Sequence, residues 1–295
     1  MDTAQTILAD IKSLKIQGAT NVALKALEAL AATMTEEPDL PPDRLKELGT
    51  KLAYARPTEP LAQNALRYIF ADTPKNAGAL KAKIATYTSY IHDATKKIAE
   101  YGNSIVSDGA TYLTHCHATT VTNIFLEAKK SGKNIHMIAT ETRPRFQGRL
   151  TVSELLDGGI TDVTMIVDSA AASVLADTKR KIAGVFVGAD LLTDTGLVNK
   201  IGTHAILLAA REYKIPVYCI STLLKYDPRP FSPDLIETRD PKEVWAEAPA
   251  NLTIFSPAFD YTPYFDGVTI ITEAGMIKGS EVKETALSNY PFIHL

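Results

Sequence analysis

The chain has 295 residues, 45% of them hydrophobic, and 31 Lys and Arg against 34 Asp and Glu give a formal net charge of −3. That is apolar material enough for one large domain or two ordinary ones, and the near balance of charge excludes a broad basic field that would gather nucleic acid or anionic lipid. No apolar run approaches the length of a membrane span, and MDTAQTILADIKSLK lacks the basic, apolar, small-residue order of a signal peptide, so a cytoplasmic protein is expected.

From Thr3 to about Tyr101 the apolar pattern has helical period. Ala23, Leu27 and Leu30 share a face with Leu24 beside them, PPDRLKELGTKLA opens a helix after a proline pair, and 76–101 reads as one long amphipathic helix. After Gly102 the texture changes to short apolar runs: ATYLTHC, NIHMIAT, DVTMIVD, AGVFVGAD, PVYCIS and VTIIT. Helix-length pieces lie between them at 118–131, 151–158, 169–176 and 202–213, and Thr151 with Glu154 is a candidate capping box. The expected fold is therefore α/β: an N-terminal all-helical domain over 1–102, followed by a Rossmann-like parallel α/β domain over 103–295. A proline-rich excursion from Tyr226 to Pro249 is expected to fold over a site or into a subunit contact.

In a parallel sheet the strand C-termini converge, so polar residues there can line one pocket. Four segments qualify: THCHATT, ETRPRFQGR, VGAD followed by NKIGT, and SPAFDYTP. Cys116 ends the first run just before a helix, flanked by His115 and His117, a setting that can lower a thiol pKa and make a base. From spacing alone a buried, inert thiol is the slightly favoured reading. Consecutive His-Cys-His residues point alternately on a strand, which argues against zinc. Asp190 ends VFVGAD and is either an acid with a raised pKa at the sheet edge or a turn or cap aspartate. Cys219 reads as core, and two distant cysteines suit free thiols. For phosphate, Asn199-Lys200-Ile201-Gly202-Thr203 opens a helix with backbone donors and a lysine, while Arg56, Arg143, Arg145 and Arg149 supply forked donors. No Walker lysine motif and no GxGxxG is present.

Taken in order, THCHATT, ETRPRFQGR-LT, VDSAA, VGAD, NKIGT and SPAFDYTP before VTIITEAG resemble the archaeal-type ribose-1,5-bisphosphate isomerases. The superfamily also holds methylthioribose-1-phosphate isomerase and the regulatory subunits of initiation factor 2B. IQGATNVALKALEAL and ARPTEPLAQNALRYIF extend the resemblance over nearly the whole chain. It implies an aldose–ketose isomerase with Cys116 and Asp190 as the acid–base pair and no metal or organic cofactor. The implied substrate contacts are Gln17, Gly18, Ala19, Arg56, His117, Arg143, Gln147, Arg149, Asn199 and Lys200. It further implies a small sugar phosphate as partner and a homo-oligomer, either a dimer or a trimer of dimers. The His-Cys-His segment is more like the bisphosphate isomerase, since the methylthioribose enzyme usually reads His-Cys-Asn there. Two positions depart from the pattern: Gln17 stands where an arginine is common and Ala118 where a serine is, both touching recognition more than proton transfer. The alternatives are methylthioribose-1-phosphate isomerase and a non-catalytic initiation factor 2B-like regulatory protein.

Overall fold

The computed structural model describes residues 3–72 and 76–294. Helices come first: α1 (Thr3–Lys12), α2 (Ala19–Glu36), α3 (Pro42–Ala53), α4 (Pro60–Phe70) and α5 (Ala77–Ile105). Proline opens α3 and α4, where its missing N–H costs the helix nothing. Asn76 caps α5 by accepting the Ala79 N–H at 2.9 Å. The expected stripe of α2 is buried at Ala23, Leu27 and Leu30. Gly49 lets α3 approach α4, because a Cβ there would meet a Leu66 methyl at 2.6 Å.

The remainder alternates strand and helix: β1 (Thr111–His115), α6 (Thr119–Lys130), β2 (His136–Thr140), α7 (Gln147–Asp157), β3 (Val163–Ile166), α8 (Ala171–Ala176), β4 (Ile182–Gly188), β5 (Leu191–Leu192), β6 (Gly196–Lys200), α9 (Thr203–Glu212), β7 (Val217–Ile220), β8 (Phe259–Pro263), β9 (Val268–Thr272), β10 (Gly275–Lys278) and α10 (Val282–Asn289). The main sheet runs β10-β9-β7-β4-β1-β2-β3. All its pairs are parallel except β10 with β9. The chain leaves β1 toward β2 and β3, and from β4 it builds the other side with β7 and β9. The order therefore reverses between β1 and β4, the point where doubly wound sheets open a crevice at their strand ends. One apolar cluster runs from Ile7 and Leu30 in the helical region to Val187 and Ile206 in the sheet region.

Two expectations need correction. Thr151 lies inside α7, whose start is set by Phe146 in the left-handed region (φ 59), so Thr151 caps nothing. Asn199 and Lys200 end strand β6 in a second sheet, β5-β6-β8, instead of opening a helix. Asn199 pairs in register with Asp260 and Lys200 with Phe259 across to β8.

Candidate active site

At the reversal point the chain leaves β1 through a left-handed residue that is not glycine: Cys116 has φ 69. Such backbone is costly for a residue with a Cβ and persists only where neighbours hold it. Here the Cys116 N–H donates to Thr142 Oγ1 and its carbonyl accepts from Thr151 Oγ1, both at 2.9 Å. Asp190 follows β4 on the adjacent strand, its N–H donating to the Val198 carbonyl at 2.9 Å. Gly188 makes the juxtaposition possible, since a Cβ there would lie 2.8 Å from that of Ala118. Cys116 and Asp190 line one cavity of about 560 Å³. Among the described residues no hydrogen bond reaches the Asp190 carboxylate, which leaves it free for a ligand.

The thiol is not the activated one that its position before α6 suggested. Burial pushes it up to about 11, with Lys200 opposing and Asp190 adding to the rise, which favours the neutral thiol. The flanking histidines give little help. His115 is 1% exposed, with Nδ1 on Thr140 Oγ1 at 2.6 Å and Nε2 on the Ile201 carbonyl at 2.9 Å. Burial lowers its pKa, and the carbonyl fixes a neutral ring with the proton on Nε2. His117 lines the cavity but is held 3.2 Å from Thr151 Oγ1 and 3.4 Å from Glu154.

Cations reach the cavity from three directions. Lys200 has its Nζ 4.8 Å from the centre of the Phe259 ring and, among the described residues, no carboxylate within ion-pair reach. Arg56, 7% exposed, donates from Nε to Glu237 at 2.7 Å, and its Nη2 forms an ion pair with Glu59 at 3.1 Å. Lys225 donates to the Ala189 carbonyl at 2.7 Å. Its turn is pinned by buried Glu273, which accepts from the Thr222 hydroxyl at 2.7 Å, the Tyr290 hydroxyl at 2.9 Å and the Leu223 N–H at 3.1 Å. The fourth side of the cavity is the start of α2. Gly18 enters it at φ 83 with no side-chain cap, and Ala19, Thr20 and Asn21 at the start of this 18-residue helix line the cavity; the uncapped N–H groups of a helix start suit an anion. Gln17 lines the same end, its amide donating to the Leu14 carbonyl at 2.7 Å.

Other sequence-based expectations are redistributed. Gln147 lines the cavity with a buried Oε1 that has no partner, and buried Asn199 lines it while donating to Thr203 Oγ1 at 2.9 Å. Arg143 and Arg149 fall outside the cavity wall. Arg143 donates to the Val244 carbonyl at 3.2 Å, and Arg149, 60% exposed, lies over the Phe146 ring at 3.8 Å. The N-terminus of α9 is already filled, because Asp260 accepts the N–H groups of Gly202 at 2.7 Å and His204 at 3.1 Å. Lys200 thus serves the pocket by its side chain alone. Sequence reasoning missed Glu59, Lys225 and Arg239. The signal for Arg239 was the proline-rich excursion: Arg239 and Glu243 from that strap line the cavity, and Arg145, which also lines it, pairs with Glu243 at 2.9 Å.

With this geometry in hand, the comparisons fall on one family. Residues 15–279 match the model of the initiation factor 2 subunit family. Ribose 1,5-bisphosphate isomerase of Archaeoglobus fulgidus is 35% identical over 90% of this chain and 87% of its own length, and that of Methanocaldococcus jannaschii is 36% identical over 94% and 92%. Methylthioribose-1-phosphate isomerase of a Thermoanaerobacter species is 38% identical over 64% and 59%. Among solved structures, the translation initiation factor eIF-2B of Pyrococcus horikoshii superposes with a TM-score of 0.81 at 28% identity, covering 94% of this chain and 98% of that one. The chain belongs to the initiation factor 2 subunit family, in the part of it whose curated members are isomerases.

Proposed function

We propose that the protein converts α-D-ribose 1,5-bisphosphate to D-ribulose 1,5-bisphosphate, with Cys116 and Asp190 moving the protons. The observation that carries this reading is the delivery of a thiol and an unpaired carboxyl to the same strand-order reversal, in a cavity edged by Arg56, Lys200, Lys225 and the start of α2. Charge at several edges suits a ligand with a phosphate at each end of a sugar.

One proton is shared by the pair, and the reacting form is the minor one in which it sits on Asp190 and Cys116 is the thiolate. The carboxylic acid protonates the ring oxygen, and the bond from C1 to that oxygen breaks. The cation left at C1 acidifies the C2 proton, which the Cys116 thiolate takes and returns to C1. The Asp190 carboxylate then removes the 2-hydroxyl proton and hands it back to the sulfur. The sugar gains hydrogen on the ring oxygen and C1 and loses it from C2 and the 2-hydroxyl, so the sum is an isomerisation.

A second reading has its own support. Gln17 brings no charge, and Leu14, Leu24, Ala118 and Leu150 in the wall are apolar, as a methylthio group would require. Incubating purified protein with each sugar phosphate and following C1 and C2 by NMR tests both. Turnover of ribose 1,5-bisphosphate is expected, turnover of methylthioribose 1-phosphate alone would replace it, and turnover of neither would leave a regulatory binding protein. Exposed Leu150, Leu156, Met165 and Val167 at the β3 side of the sheet support a homo-oligomer, measurable by light scattering.

A further inference from the structure

Glu59 has no role in that reaction, yet it is part of the cavity wall. It is 2% exposed; Oε1 meets the Arg56 guanidinium at 3.1 Å, and Oε2 is buried with no hydrogen-bond partner. An ionised oxygen so placed lacks the donor that normally offsets its lost hydration. Facing it are Arg56 from its own turn, Glu237 from the strap, Asp190 beyond β4 and Lys225 beyond β7. Glu237 itself is shared with Arg56 and, at 3.6 Å, with Arg239. The immediate set is thus three carboxyls against two cations. Burial pushes Glu59 up to about 7; Arg56 and Lys225 hold it down, and Asp190 and Glu237 push it up. An anion that draws on Arg56 and Lys225 removes what keeps Glu59 ionised and adds a repelling charge of its own.

We propose that Glu59 is a proton-linked residue of the cavity wall that becomes a carboxylic acid when an anionic ligand binds at Arg56 and Lys225, the proton settling on the buried oxygen that has no donor. One proton enters from solvent with the ligand and leaves with it. The proposal depends on the sugar-phosphate reading for the identity of that ligand. Because the bound state holds one more proton than the free state, affinity is full below the free-state pKa of Glu59 and falls as pH rises above it, by up to about tenfold per pH unit.

Sulfate is the probe, since its charge is fixed across the range. Calorimetric titration of the whole protein with sulfate at pH 8, in buffers of unlike ionisation enthalpy, is expected to show uptake of about one proton per anion, with Kd rising about tenfold from pH 7.5 to 8.5. Glu59→Gln keeps the shape but cannot titrate, so its sulfate affinity should be flat with pH and its proton uptake near zero. The wild-type proton count stands even if that variant folds poorly. No proton uptake by the wild type, uptake retained by Glu59→Gln, or no sulfate binding at either pH would overturn the proposal. With ribose 1,5-bisphosphate the same window should raise KM in the wild type but not in Glu59→Gln. Proton-linked sulfate binding without sugar turnover would defeat the isomerase reading and leave this one standing. Turnover with identical KM profiles in both proteins would do the reverse.

Discussion

Alkylation of Cys116 tests the claim that the resting group is a thiol. With a pKa of about 11, roughly one molecule in a thousand carries the thiolate at pH 8, against about one in four for a free thiol near 8.5. That alone would slow iodoacetamide about 240-fold. A more basic sulfur is also more nucleophilic, and a Brønsted slope of 0.4–0.5 over about 2.5 units returns a factor of roughly 13, so the net slowing is about twentyfold. The assay is mass spectrometry of the labelled peptide over pH 7–10, with Cys116→Ser as the blank. Cys219 is fully buried, and burial pushes it up to about 12, so it contributes little. The rate should climb about tenfold per unit to the top of the range. A plateau near pH 7 would show a stable thiolate and refute the argument from burial.

Asp190→Asn keeps the shape of the pocket and should abolish turnover with little change in sulfate affinity or Tm; a large fall in Tm would make Asp190 a structural cap instead. Lys200→Ala should raise KM about tenfold or more, as removal of a charged hydrogen bond from an enclosed anion costs roughly 1.5–3 kcal/mol, whereas Arg149→Ala should leave steady-state kinetics unchanged. Asp260 is raised to about 6, mainly by burial and against the pull of the Gly202 and His204 N–H groups. Its folded form holds the proton more tightly than the unfolded chain does, so its contribution is fully present below about pH 4 and is lost as pH rises through 6. Denaturant titration of Asp260→Asn should therefore show stability relative to wild type improving by up to about 2 kcal/mol between pH 4 and 7; a constant difference would remove Asp260 as a titrating group.

What the sequence could show depended on whether a signal was local. The β4 run IAGVFVG is continuously apolar because both faces of a parallel strand are covered, and Asp190 stands just beyond its end; β1, TYLTH, is mixed but buried, and Cys116 follows it. Strand β6 gave no such signal: GLVNK is short, and its partner FDYTP lies about sixty residues downstream, so NKIGT read as a helix start. Thr151 carried a capping pattern, but the preceding left-handed Phe146 had already begun the helix. Arg143 and Arg149 have the right chemistry for phosphate, but one bonds to the strap and the other stacks on Phe146, placements no local pattern announces. Lys225 and Glu59 lacked any motif, and only the folding of distant turns onto Asp190 gives them a role.

The Arg56–Glu237 ion pair joins residues 181 positions apart, and the cavity wall runs from Leu14 to Phe259. A chain emerging from the ribosome therefore has no complete site until Phe259 has been made. The α2 end and the thiol are translated well before the residues that close the cavity around them. Substrate can stabilise only the finished molecule, by mass action on its folded state, and partial products of synthesis gain no such protection from proteolysis.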